Sequence, residues 1–173
     1  MNLKELNKLI SKKYLVDKKI KNYEKAGIIR KQIRDVNEIK GHIKKSEHNL
    51  EFIQDNLKMG YFDWCITGCY YAVYHSALAL IIARNYMSKN HDATLCLLIK
   101  EYSKQGVTIE DIELINKFFL DYQDLLFYIH SKNKRKEATY STKYLFDKKL
   151  VDRLRLKTII FVNKAKEIIK NET

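Results

Sequence analysis

Apolar side chains recur three and four positions apart over most of this chain, which is the period of helices packed on one face. Ile39, Ile43, Leu50, Ile53 and Leu57 form one stripe, with Lys44, Lys45 and Glu47 off it, and predict a helix from about Val36. Met59-Gly60 ends it, because glycine takes the left-handed turn after a helix without strain. Asp63 then serves as N-cap or first-turn acid of the next helix. Residues 91–104 predict a shorter helix, with Leu95, Leu98, Ile99 and Tyr102 on one side and Gln105-Gly106 as its break. Thr108 and Asp111 stand at capping-box spacing. After them Ile112, Ile115, Phe119, Tyr122, Leu126 and Ile129 make a stripe to about Ser131, with Glu110, Glu113, Asp121 and Asp124 off it. A last helix from about Asp147 carries Leu150, Val151, Leu154, Leu156, Ile159, Ile160 and Val162. The first forty residues are the most polar. Leu3, Leu6, Leu9 and Ile10 make one amphipathic pattern and Ile28, Ile29 and Ile33 another, with a Lys-rich stretch between that reads as helix or loop. The expectation is an all-α, antiparallel up-and-down bundle of about five helices without strands. Residues 1–35 would be a basic helical extension and residues 36–173 the bundle.

The segment Cys65–Ala83 changes the picture, because it contains no Asp, Glu, Lys or Arg. As a helix it would be about 28 Å long, close to the thickness of a bilayer core. Tyr70, Tyr71, Tyr74, His75 and Ser76 lie in its middle, however, where a span is most apolar, and aromatic belts belong at the ends. A helix apolar on most faces is also what the centre of a bundle requires. The expectation is a buried central helix and no membrane span.

Composition narrows the class further. The 173 residues include no proline and five glycines, which nearly excludes small β-sandwiches and Pro-rich linkers. The formal charge is +12, and it is uneven. Residues 1–50 and 131–173 each carry net +8, residues 51–100 net zero and residues 101–130 net −4. Such a balance favours anionic partners, although a codon bias toward Lys, Asn and Ile accounts for it equally well. Cys65, Cys69 and Cys96 are an odd number, and the start of the chain lacks an apolar signal core, so free thiols and a cytoplasmic location are expected. Cys65 and Cys69 are four apart with no second pair elsewhere, which suits small buried side chains better than a metal half-site.

Three stretches together resemble a known family. Gly60-Tyr61-Phe62-Asp63-Trp64, followed by Cys69-Tyr70-Tyr71-Ala72-Val73-Tyr74-His75-Ser76-Ala77-Leu78-Ala79-Leu80, resembles the second helix of HEPN domains (higher eukaryote and prokaryote nucleotide-binding). His91, with Leu95 and Leu98 after it, is similar to the opening of the family's next helix. Arg135-Lys136-Glu137-Ala138-Thr139-Tyr140 resembles the R-x-x-A-D-Y run of many members. The resemblance spans roughly residues 40–168. It implies a helical bundle, a homodimer, and pairing with a minimal nucleotidyltransferase in a toxin–antitoxin module. It also implies RNA or a nucleotide as ligand, with no cofactor and no metal. In active members an R-x4-6-H motif makes a metal-independent endoribonuclease site, where Arg holds the scissile phosphate and His moves protons during attack by the ribose 2′-hydroxyl.

Here that motif is altered. Arg135 is present, but the position five residues on is Tyr140, and no histidine occurs between 131 and 173. A phenol titrates near 10 and an imidazole near 6.5, so Tyr140 is a poor general base at neutral pH. It is suited to hydrogen-bonding a phosphate or acting as an acid. His130, five residues before Arg135, and His75 on the central helix are local substitutes. Against these stand plainer readings: His130 as a helix-end residue on the dipole, and His75 as a buried histidine with one hydrogen bond. Some members receive AMP from the partner nucleotidyltransferase on a tyrosine near the motif, which makes Tyr144 or Tyr140 the acceptor by resemblance; packing on the bundle is the plain alternative. Lys132, Lys134 and Lys136 flank Arg135 and could neutralise phosphates, while Tyr140 and Tyr144 could stack bases. Two function classes result: an RNA-directed toxin with Arg135 and Tyr140 at its site, and a non-catalytic module docking a nucleotidyltransferase or another partner. A scaffold at a membrane surface is a third.

Overall fold

A computed structural model describes residues 1–120 and 148–172 of the chain. Two short helices, α1 (Leu3–Ser11) and α2 (Lys13–Lys25), lead into β1 (Ile29–Lys31). The long helices α3 (Val36–Met59) and α4 (Phe62–Ala83) follow. Next come β2 (Tyr86–Ser88), α5 (His91–Tyr102), α6 (described over 109–120) and α7 (Lys148–Asn171).

Polar side chains start most of these helices by satisfying backbone N–H groups that have no partner in the first turn. Asp35 Oδ1 accepts from the N–H of Asn37 and Glu38, at 2.8 and 3.1 Å. Asn90 Oδ1 accepts from Ala93 N–H at 2.7 Å, opening α5. The capping box read from Thr108 and Asp111 is present: Thr108 N–H donates to Asp111 Oδ2 (2.8 Å) and Asp111 N–H donates to Thr108 Oγ1 (3.3 Å). Gly60 ends α3 in the left-handed region, at φ 79°, and Tyr61 N–H reaches back to Asn56 O.

The fold is all-α, as the hydrophobic period indicated, and α4 is its axis. Its most apolar 18-residue window is 72 % buried inside the bundle, so the length that would suit a membrane is covered by neighbouring helices instead. Helix α3 lies antiparallel along it. Ser46 Oγ donates to Ala72 O (2.9 Å) and Ser76 Oγ donates to Ser46 Oγ (3.0 Å), so the polar groups inside this contact are paired. Helices α5 and α7 run alongside α4 in its own direction. Tyr70 meets His91 and Tyr102 meets Leu80 along α5; Cys69 meets Thr158 and Arg84 meets Glu172 along α7.

Two expectations are corrected. The described residues contain seven helices where about five were expected, because the Lys-rich start folds into two. Leu6, Leu9, Val16 and Ile20 are buried in the same core as Leu80, Leu95 and Ile115. Nor is the chain free of strands. Ile29, Arg30 and Lys31 pair antiparallel with Ser88, Met87 and Tyr86. Three residues are too short to show the alternation that marks a strand. The ribbon is set by its ends, where Gln32 N–H donates to Asn85 O and Lys89 N–H donates to Ile28 O. By returning the chain along α4, β2 lets α5 run in the same direction as α4.

The thiols of Cys65, Cys69 and Cys96 are free and buried, as expected of small core residues. Burial pushes Cys69 and Cys96 up to about 12, which keeps both protonated and unreactive at neutral pH.

Helices α3 and α4 approach closely at Gly68. A Cβ there would stand 2.6 Å from Ile53 Cγ1 and 3.1 Å from Phe52 Cδ1. Ile53 is fully buried and stiff, so it has little room to move. Gly68→Val should therefore lower folding stability by about 3 kcal/mol, the upper part of the overpacking range. Gly41, on the exposed side of α3, has open space where its Cβ would be. Gly41→Ala should raise stability by about 0.5–1 kcal/mol. Urea unfolding midpoints of the two variants against the unsubstituted chain measure both.

Candidate functional site

The residues that carry the HEPN resemblance on α4 form a row of rings along its half-buried side. At one end, α3 and α4 bring two histidines together. His42 lies one turn before Ser46, and its Nδ1 is 2.9 Å from Nδ1 of His75. One of these nitrogens must carry a hydrogen and the other must accept it, so the packed pair cannot hold both rings protonated at Nδ1. Burial lowers His75 to about 4, helped by the neighbouring His42 and Lys45. Burial also lowers His42, against an opposing pull from Glu38. Both imidazoles are neutral at pH 7.

The row continues through Tyr71, which stacks on His75 with ring centres 6.4 Å apart and meets Tyr70 edge-on at 4.9 Å. At the far end, Tyr70 and Tyr74 lie parallel at 5.8 Å, and the Tyr70 hydroxyl is 3.1 Å from His91 Nε2. His91, the first residue of α5, stacks on Phe119 of α6 at 4.1 Å. Burial lowers His91 as well, and it raises the Tyr74 phenol. His42, His75, His91 and Tyr74 are therefore uncharged at neutral pH. They can accept and donate hydrogen bonds, relay a proton and present ring faces to a base. They cannot balance the charge of a phosphate, so a cation must come from other segments.

The segment expected to supply it, with Lys132, Lys134, Arg135, Lys136, Tyr140 and Tyr144, lies outside the described residues, as does His130. His75 stands where the sequence placed it, half-buried with one hydrogen bond. Its partner His42 was missed: 33 positions separate the two, and His42 belongs to no motif. The pairing of Tyr70 with His91 was also missed, though each residue was noted alone. Among the described residues no three His, Cys, Asp or Glu side chains converge as a metal site.

The depressed titration of His75 has a consequence for stability. The unfolded imidazole titrates near 6.5 and the folded one near 4. Between those values the unfolded chain binds the extra proton, so the contribution of His75 is complete above pH 6.5 and is lost as pH falls toward 4. In urea titrations from pH 7 to pH 4.5, the decline of the midpoint should be shallower for His75→Gln than for the unsubstituted chain. Parallel declines would show that the histidine pair does not couple to folding.

Comparison with known proteins adds an independent line. The family model described as HEPN domain matches residues 39–168. A UPF0332 protein of Archaeoglobus fulgidus is 25 % identical over 134 residues, which cover 78 % of this chain and 97 % of that protein. A protein of Methanocaldococcus jannaschii named "Putative toxin" is 24 % identical over 139 residues, covering 80 % of this chain and 86 % of the relative. The match takes in α3, the ringed face of α4, the His91 end of α5 and nearly all of α7, and so the chain belongs to the HEPN domain family.

Proposed function

We propose that this HEPN protein acts on RNA as the toxin-like member of a toxin–antitoxin pair, as a homodimer, with Arg135 on the scissile phosphate. The observation that carries this reading is Arg135 with Tyr140 five residues on, set among Lys132, Lys134 and Lys136, within the span that matches the HEPN family. The relative named as a toxin supports it. A guanidinium suits the role because it stays charged and can hold two phosphate oxygens at once. In such a site the ribose 2′-hydroxyl attacks the phosphorus and the 5′-oxygen leaves, so one proton must be taken from the first and one given to the second. Tyr140, protonated at pH 7, is suited to the second transfer. The uncharged rings of α4 are suited to stacking against a base.

Tyr140 in place of histidine favours a second reading. With no imidazole at the motif position to serve as base, the protein would bind RNA or a nucleotide without cutting it and would dock a minimal nucleotidyltransferase. Tyr140 or Tyr144 would then accept AMP from ATP, the phenol oxygen displacing pyrophosphate.

The two readings separate in one assay. Labelled single-stranded and structured RNAs are incubated with the full chain in EDTA. The first reading expects cleavage that Arg135→Ala abolishes. It also expects Tyr140→His to accelerate cleavage by about 10²-fold or more, the usual contribution of a well-matched acid–base group. No cleavage by either the unsubstituted chain or Tyr140→His removes the nuclease reading. A mass increase of one adenylate on Tyr140 or Tyr144, after incubation with ATP and a minimal nucleotidyltransferase, establishes the second.

A further inference from the structure

Helix α2 lies outside the span that matches the HEPN family, yet its side chains are arranged with a clear polarity. Val16 and Ile20 are buried in the core, with Tyr23 packed against it. At 100° per residue, Tyr14, Lys18, Lys21 and Lys25 project on the opposite side. All four are exposed, Tyr14 at 65 %. Three acids lie nearby, and of these Glu24 stands exposed beside Lys21 and Lys25, one negative charge against the three lysines. Asp17 pairs with Lys100, and Glu5 pairs with Lys19. Lys18, Lys21 and Lys25 make no ion pair among the described residues. Beyond the end of α2, the Arg30 guanidinium folds back over Gly27, within 3.5 Å of where a Cβ would stand. Cations here also face the negative end of the helix dipole.

We propose that the solvent side of α2, with Arg30, is a phosphate-tracking surface for single-stranded RNA. Lys18, Lys21 and Lys25 rise about 4.5 and 6 Å along the axis from one to the next. Those intervals, with the length of the lysine side chains, let the ammonium groups reach neighbouring phosphates of one strand. Tyr14 supplies an exposed ring at one end of the row on which a base can stack. A membrane-lying helix would need Leu, Phe or Trp facing outward; this side of α2 has none. The lysines belong to a rigid helix docked on the core, so their spacing is fixed before the ligand arrives. The proposal rests on the reading that this protein acts on RNA, and it assigns a role to the part of the chain beyond the family match.

The test is fluorescence anisotropy of a labelled 20-nucleotide oligouridine with the full chain, from 50 to 300 mM KCl. The unsubstituted chain should bind with an affinity that falls steeply with salt. Lys18→Gln/Lys21→Gln/Lys25→Gln should bind at least ten-fold more weakly at 100 mM and lower the log–log salt slope by about 2, three contacts at about 0.7 each. The corresponding triple change to Arg should keep the slope. Tyr14→Ala should weaken binding about ten-fold with the slope unchanged. Matching thermal melts establish that the variants are folded. Binding with a slope that the Gln variant leaves unchanged overturns the α2 surface but not the RNA reading. No binding to RNA by the unsubstituted chain overturns both. Vesicles of 30 % phosphatidylserine in phosphatidylcholine form the second arm: Lys-dependent binding to these without binding to RNA overturns the choice of ligand.

Discussion

The fold depends on covering a helix that cannot meet water along most of its length. Helix α4 has nineteen successive positions without a charged side chain, and fourteen of its residues are buried. Every other long element is placed by the need to cover it. Helix α3 closes over one side, and Gly68 permits that approach by leaving the space that Ile53 occupies. Helices α5 and α7 cover two more sides in parallel, and the short ribbon of β1 and β2 returns the chain to the start of α5. Polar groups between α3 and α4 are tolerated because they are paired, Ser46 with Ala72 and with Ser76.

Where the cover thins, the rings of α4 come to the surface. Tyr71, Tyr74 and His75 are half-buried, on the side where α3 gives way to His91 of α5 and Phe119 of α6. That boundary position explains their chemistry. Enough water is excluded to keep His75, His42 and His91 neutral, and enough access remains for ring edges and nitrogens to meet a ligand. The same coverage that stabilises the bundle thus prepares a neutral, hydrogen-bonding, aromatic surface.

Much of this was legible in the chain because it depends on near neighbours in sequence. The stop at Gly60 follows from one residue's left-handed freedom, and the start at Thr108–Asp111 from two residues three apart. The burial of α4 follows from a run free of charge. What escaped depends on distant partners or on segments too short to show a period. The ribbon has three residues a side. The division between α1 and α2 falls at Lys12, whose non-helical backbone (φ −131°, ψ 89°) is marked by neither glycine nor proline. His42 meets His75, and Tyr70 meets His91, only because helices bring them together. The motif segment around Arg135 was legible as sequence alone, since it falls outside the described residues.

Charge and rings are placed apart in this molecule, and that separation bears on how it would treat a polyanion. Among the described residues the cations that act on the ringed face are Lys45 at the His75 end and the Met1 ammonium, paired with Asp92, at the His91 end, while the net positive charge belongs to the two ends of the chain. A nucleic-acid ligand has the matching division, with neutral bases and charged phosphates. Imidazoles already held neutral by burial would gain little from a phosphate and would have to be protonated at a cost to folding to hold one. Bases are therefore the better match to the α4 face, and phosphates to α2 and to the lysines around Arg135. On the RNA reading, such a division would let the strength of binding be set by lysines while the half-buried rings, whose burial is fixed by the core, stay constant in protonation across the neutral range.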